Sequence, residues 1–218
     1  MFVGLSEKPD YFKDKVSLFV ALGPVSQISH TQADVFRLIL PFYDEIANTA
    51  WLFGVHEILG ANWLTNTATR LFCKNITWFC ELIIGIATSS DPALDDNDRY
   101  AVYMSHSPNG SSLDAILHYA QNIKEKRFQV WSDDYTDVIG RSKKRTTDLI
   151  PLENIQEVPV AIFAGIEDTL ADTVDAEWTR DQIGDNVVHY EEIHAGHLSF
   201  LVGKNMTYFT ETVMDLVQ

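Results

Sequence analysis

Two short segments near the carboxyl end hold residues whose types and spacing suit acid–base chemistry. Gly165-Ile166-Glu167-Asp168-Thr169-Leu170-Ala171-Asp172 follows one apolar run, and Ile193-His194-Ala195-Gly196-His197-Leu198-Ser199-Phe200 follows the next. Asp168 and His197 are 29 positions apart, enough for a helix and a strand. Their loops can therefore lie side by side at the carboxyl edge of a sheet, where open α/β folds carry their chemistry. A carboxylate placed there would fix the tautomer of the imidazole and stabilise the imidazolium, while the imidazole takes the proton of a nucleophile. Each residue alone has a plainer explanation. An Asp in a turn is commonly a cap or turn former, and a loop histidine, one of seven here, is commonly structural. A matching nucleophile would sit on a strand-to-helix elbow of the form G-x-S-x-G. Three places begin that pattern, at Ser6, Ser112 and Ser142, but Lys8, Asp114 and Lys144 replace the second glycine. The chain has no recognisable nucleophile.

The elements around these loops are legible from periodicity. Val16 to Leu22, stopped by Gly23-Pro24, Val158 to Gly165 and Asn186 to Ile193 are short, nearly continuous apolar runs. Such runs suit parallel strands covered on both faces. Helical patterns at Thr173 to Ile183 and Asn205 to Leu216 separate and follow the last two. Strand, helix, strand, helix predicts an α/β fold with a mostly parallel sheet. Residues 30–150 read differently, rich in helical periodicity and aromatics and poor in strand signals, and too long for a loop. They are expected to form a helical insertion. Its Phe36, Leu40, Phe42, Trp51, Phe53, Trp63, Phe72, Trp78 and Phe79 either build a core or line a groove for an apolar ligand.

Composition narrows the function classes. Sixteen Lys and Arg against 31 Asp and Glu give a formal charge of −15, which excludes a nucleic-acid binder, since phosphates are held by clustered cations. The compact basic run Arg141, Lys143, Lys144, Arg145 reads as a solvated loop. Hydrophobic content of 46% argues against disorder. No window is long and apolar enough for a transmembrane segment, and the first residues do not read as a signal peptide. Three N-x-[ST] sequons, at Asn75, Asn109 and Asn205, nonetheless favour a secretory history and mark possible glycosylation sites. Cys73 and Cys80 cannot form a disulfide scaffold; within one unbroken helix they would be about 10.5 Å apart along the axis, too far to bridge. No cofactor or metal site is expected.

Five ordered local segments then carry a resemblance to the acid lipase family of α/β-hydrolases, the group of the gastric and lysosomal acid lipases. Met1-Phe2-Val3-Gly4-Leu5-Ser6-Glu7-Lys8-Pro9 is similar to the helix after the nucleophile elbow, and Phe19-Val20-Ala21-Leu22-Gly23-Pro24-Val25 to the following strand, commonly ALAPV. Tyr103-Met104-Ser105-His106-Ser107-Pro108-Asn109-Gly110-Ser111-Ser112 resembles the cap segment YxSHxPAGTS. His118-Tyr119-Ala120-Gln121 and Lys126-Arg127-Phe128-Gln129 resemble the HWxQ and basic-Phe-Gln segments that follow it. The resemblance places Asp168 at the triad acid, in a segment typically xGxxDxLAD, and His197 at the triad histidine, typically NHLDF. Gly196 and Ser199 depart from that last motif, and His194 becomes a decoy. Cys73 matches one half of a family cap disulfide whose other half falls on Leu82, so no bridge of that type is expected, at most a free pair.

On this resemblance the GHSxG serine would lie about six residues before Met1. The chain is then expected to be the carboxyl-terminal part of the enzyme. Residues 1–29 would begin the core fragment, 30–150 form the helical cap or lid, and 151–218 close the core with acid and histidine. The implied function is hydrolysis of neutral-lipid or fatty-acyl esters, triacylglycerol or cholesteryl ester, with transient contact to a lipid surface and a secreted or lysosomal location. Lacking the serine, the chain alone is expected to be inactive. The alternative is a catalytically dead remnant with at most a lipid-binding role; another capped hydrolase, such as an epoxide hydrolase or peptidase, is a third reading.

Overall fold

The computed structural model describes residues 1–58, 60, 67–68, 71–73, 75–76, 78, 82, 85, 91, 93–99, 102–103, 106, 110–131 and 147–218. In chain order the elements are α1 (Phe2–Glu7), α2 (Pro9–Phe12), β1 (Phe19–Leu22), α3 (Asp34–Ile39), α4 (Tyr43–Leu52), β2 (Glu57–Ile58) and β3 (Ser111–Ser112). They are followed by α5 (Leu113–Glu125), β4 (Val160–Gly165), α6 (Thr173–Ile183), β5 (Val187–Ile193), α7 (Ser199–Val202), a π-helix (Tyr208–Val213) and α8 (Met214–Leu216).

Three strands form a parallel sheet in the order β1-β4-β5. This is the expected α/β arrangement, with β4 at its centre and all six of its residues buried. Alternation along β4 explains its unbroken apolar sequence. Val160 and Ile162 belong to a cluster with Phe2, Leu5, Ala21, Leu152, Ile155 and Ile183, whereas Ala161 and Phe163 belong to another with Ala195, Phe200, Tyr208 and Val213. With period two, a strand packed on both faces must be apolar at every position. Each large side chain so buried contributes about 1.5–3 kcal/mol.

Strand limits follow from local hydrogen bonding. The amides of Lys15 and Val16 bond back to the Phe12 carbonyl, both at 2.9 Å, so the chain is still turning there and the ladder starts at Phe19, three residues later than the apolar run. Between β4 and β5, α6 spans the predicted Thr173–Ile183, capped by the Asp172 carboxylate, which accepts from the Val174 amide at 2.9 Å. The terminal helical pattern is realised differently, as a π-helix running into α8. That wide turn holds Tyr208 where its hydroxyl donates to the Phe200 carbonyl at 2.7 Å.

Within 30–150 the described residues form α3, α4 and α5, and also a two-stranded antiparallel ladder, Glu57–Ser112 and Ile58–Ser111, where no strand was predicted. Helix α4 lays Tyr43 and Ala47, one turn apart, against Leu113, Leu117 and Ala120 of α5. Aromatics off that stripe stay outside: Phe42 is 62% exposed, Phe53 76% and Trp78 66%, and Phe72 is also exposed, so the core reading fails for these four. Trp51 is partly buried against the α4–α5 cluster, while Trp63 and Phe79 lie outside the described residues. Cys73 corrects a second expectation, because it is disulfide-bonded rather than free. The assumption of one unbroken helix does not hold, since helix at 71–73 and 75 is interrupted at Ile76; the chain's other cysteine, Cys80, lies outside the described residues.

Candidate functional site

The loops after β4 and β5 meet at the carboxyl edge of the sheet. Two backbone bonds sew them together, from Ile166 N to Ile193 O (2.9 Å) and from Glu167 N to Ala195 O (3.2 Å). The contact is close enough that a Cβ on Gly165 would run into the Ala195 carbonyl oxygen. In the first loop, Asp168 Oδ1 accepts from the amides of Leu170 and Ala171, each at 2.8 Å. Its other oxygen, Oδ2, lies 2.8 Å from His197 Nδ1. The Asp168 side chain is completely buried, and that of His197 is 25% exposed.

This geometry settles the direction of the bond. A carboxylate only accepts, so Nδ1 carries the proton and donates it, and Nε2 is the ring nitrogen whose chemistry is to take one. Two amide donors on the opposite oxygen hold the carboxylate plane fixed, and burial strengthens every bond in the set. The pair can therefore orient an imidazole, stabilise its charged form and relay a proton through Nε2.

Gly23, at the end of β1, belongs to the same cluster and was not singled out from the sequence for this role. Its φ is +54°, and a Cβ there would come within 3.1 Å of Asp168 Oδ2, 3.2 Å of His197 Nδ1 and 3.3 Å of the Phe200 ring. The signal available was a glycine immediately after a strand at the sheet's carboxyl edge. Three parallel strands thus each deliver one residue to a single point.

No family model matches the chain. Individual proteins do. Human lipase member K is 29% identical over 227 residues, which is 99% of this chain and 53% of the lipase. Human lysosomal acid lipase/cholesteryl ester hydrolase is 29% identical, over 93% of this chain and 50% of the relative. Bovine gastric triacylglycerol lipase is 25% identical, over 92% and 50% respectively. Along nearly its whole length the chain is similar to acid lipases. It spans about half the length of the curated relatives it matches.

Other residues of this acid lipase relative fall as follows. His194 is 80% exposed at its side chain and sits 2.9 Å from Glu167 Oε1, away from Asp168. Gly196 and Ser199, the two departures from the family's histidine motif, bond to each other: the Gly196 amide donates to Ser199 Oγ at 2.9 Å. Of the serines that begin a G-x-S pattern, Ser6 donates to the Pro151 carbonyl at 2.5 Å and Ser112 caps α5, accepting from Ala115 N at 3.1 Å. Ser142 lies outside the described residues. Asn75 and Asn205 are exposed, and Asn109 lies outside the described residues. Among the described residues no group of His, Cys, Asp or Glu is arranged to hold a metal ion, and no helix is long and apolar enough to cross a membrane.

Between α3, α4 and α5 opens an apolar cavity of about 360 Å3, lined by Val35, Phe36, Leu40, Tyr43, Ile116, Leu117 and neighbours. The one polar group of Tyr43 is turned away from apolar contact, its hydroxyl donating to the Leu117 carbonyl at 3.1 Å. Phe36 and Leu40, read from the sequence as core or groove residues, are groove residues here. The entry to α3 is tied to the acid loop, with Gln32 N donating to Thr169 O at 2.7 Å.

Proposed function

We propose that this chain carries the acid and the base of a lipase-type serine ester hydrolase acting on neutral lipids, triacylglycerol or cholesteryl ester. The observation that carries the reading is the buried Asp168 held by two amides and bonded to His197 at 2.8 Å. The names of its relatives, a gastric triacylglycerol lipase and a lysosomal acid lipase/cholesteryl ester hydrolase, support the substrate class.

In the reaction, His197 Nε2 takes the proton of a serine hydroxyl as that oxygen attacks the acyl carbonyl, and Asp168 holds the resulting imidazolium. The imidazolium then gives its proton to the departing alcohol. Water, deprotonated by the same nitrogen, releases the fatty acid from the acyl-serine. The residues in hand supply no G-x-S-x-G serine, so the 218-residue polypeptide by itself hydrolyses no ester. The cavity between α3, α4 and α5 is a fitting place for an acyl chain, and residues 30–150 would then act as the cap. Exposed Phe42, Leu52 and Phe53, at the two ends of α4, support transient contact with a lipid surface. A secreted or lysosomal location, with glycans on the exposed Asn75 and Asn205, fits the same reading.

The apolar cavity also favours a second reading, a catalytically dead protein that only binds lipid. Two assays on the purified chain separate the outcomes. Fluorophosphonate labelling at serine is expected to be absent under both readings, and stoichiometric labelling lost on His197→Ala would overturn the inactivity of the chain alone and with it the second reading. If the first reading holds, His197 regains a function when a serine-bearing segment is supplied; under the second it does not.

A further inference from the structure

We propose that Asp95 is a positioning residue, which holds His197 against Asp168 by acting through Ser199. Asp95 lies 104 positions before Ser199, in the region between α4 and α5, yet it is completely buried. Ser199 Oγ donates to Asp95 Oδ1 at 2.6 Å, and the same oxygen accepts from the Gly196 amide at 2.9 Å. The turn is closed a second time by Ser199 N donating to Gly196 O at 3.1 Å. His197 sits at the tip of that turn.

The division of labour follows from hydroxyl chemistry. A serine hydroxyl has one proton and two lone pairs, and rotates freely unless something takes the proton. A buried carboxylate takes it through a short charge-assisted bond, which leaves a lone pair aimed at Gly196 N. Without Asp95 the hydroxyl would be free to turn toward a nearby carbonyl, and the Gly196 amide would be left without its acceptor. The backbone on both sides is pinned to the same segment: Asp95 pairs with Gly203 in an isolated antiparallel bridge, Asp96 N donates to Val202 O, and Lys204 N donates to Leu94 O, both at 2.8 Å. Residues 94–96 therefore grip α7 from outside while Asp95 reaches in to set the turn before it. Calling His197 the beneficiary base rests on the proposed function; the bond network does not.

The experiment is proton NMR of the 218-residue chain, following exchange with water of the hydrogen-bonded His197 Nδ1–H. His30 supplies an internal control, because its Nδ1 lies 2.8 Å from the buried Asp175 Oδ1 in a separate pair. Asp95→Ala and Ser199→Ala are each expected to speed His197 exchange about tenfold or more, the loss of one charge-assisted bond, while His30 exchange changes less than about twofold. Asp95→Asn, which keeps an Oδ1 acceptor, is expected to fall nearer the wild type than Asp95→Ala. Should Asp95→Ala fail to fold, Ser199→Ala alone decides. His197 exchange unchanged in folded Asp95→Ala or in Ser199→Ala, or accelerated no more than His30 exchange, would overturn the proposal. Because no turnover is measured, failure of the lipase reading would leave this result intact, and failure here would leave that reading standing.

Discussion

His197 Nδ1 donates to Asp168 Oδ2 across 2.8 Å, while the other oxygen of the same carboxylate is occupied by the amides of Leu170 and Ala171. The two halves of the carboxylate thus do different work: one oxygen fixes the acid to its own loop, and the other fixes the histidine to the acid.

That division makes Asp168→Asn informative. The side-chain oxygen of Asn must stay with the two amides, so its NH2 would face the Nδ1–H of His197, donor against donor. The imidazole is expected to change tautomer, with its proton moved to Nε2, and stability to fall by about 1–3 kcal/mol. Nitrogen chemical shifts of a 15N-labelled imidazole report the tautomer, and thermal unfolding reports the cost.

Gly23→Ala tests whether β1 contributes to the site. A backbone at φ +54° costs a residue with a Cβ about 1–2 kcal/mol, and the added methyl would press on Asp168 Oδ2, His197 Nδ1 and Phe200. The expected result is a loss of at least that much stability, together with faster exchange of the His197 Nδ1–H. The same substitution at Gly54, also at positive φ but with nothing near its Cβ, is expected to cost stability without touching the histidine signal.

Alkaline pH gives a signed prediction. Burial beside Phe163 and Phe200 pushes the Tyr208 phenol up to about 12, whereas the unfolded chain titrates it near 10. The folded state holds that proton more tightly, so its stabilisation is complete below pH about 10 and is lost as pH rises toward 12, by at most about 3 kcal/mol. Tyr190, also raised by burial and by its bond to Glu192, adds to the same trend. Urea unfolding between pH 9 and 11 is expected to show a falling midpoint, with a shallower slope in Tyr208→Phe.

The sheet and the acid–histidine spacing were legible because their signals are local: an apolar run of fixed period, a turn and a count of residues between turns. Thr173–Ile183 matched because a cap, an amphipathic pattern and a stop all agree there. Other features depend on contacts that no local pattern encodes. Gly23 joins the site only because β1 lies beside β4, and Ser199 finds Asp95 across 104 positions. Phe42 and Phe53 misled because bulk predicts burial only when a partner helix covers that face, and α5 covers the face of α4 carrying Tyr43 and Ala47 instead. The cysteine pair misled because spacing along an unbroken helix is no guide where the helix stops at Ile76.

Cys73 gives a further check. It is buried and disulfide-bonded, and the chain has two cysteines. Unfolded without reductant, the protein is expected to take up no thiol reagent; after reduction it takes up two equivalents. Reduction should lower stability by about 2 kcal/mol, the loop-closure entropy returned to the unfolded chain.

The central claim, that Asp168 and His197 are the acid and base of an ester hydrolase, is tested most directly by fluorophosphonate labelling of two polypeptides. One is the 218-residue chain, and the other is the same chain joined to the half of bovine gastric triacylglycerol lipase that lies outside the match. The prediction is no serine label on the chain alone and a label on the joined protein that is lost with His197→Ala. Label on the joined protein that survives both His197→Ala and Asp168→Ala would contradict it.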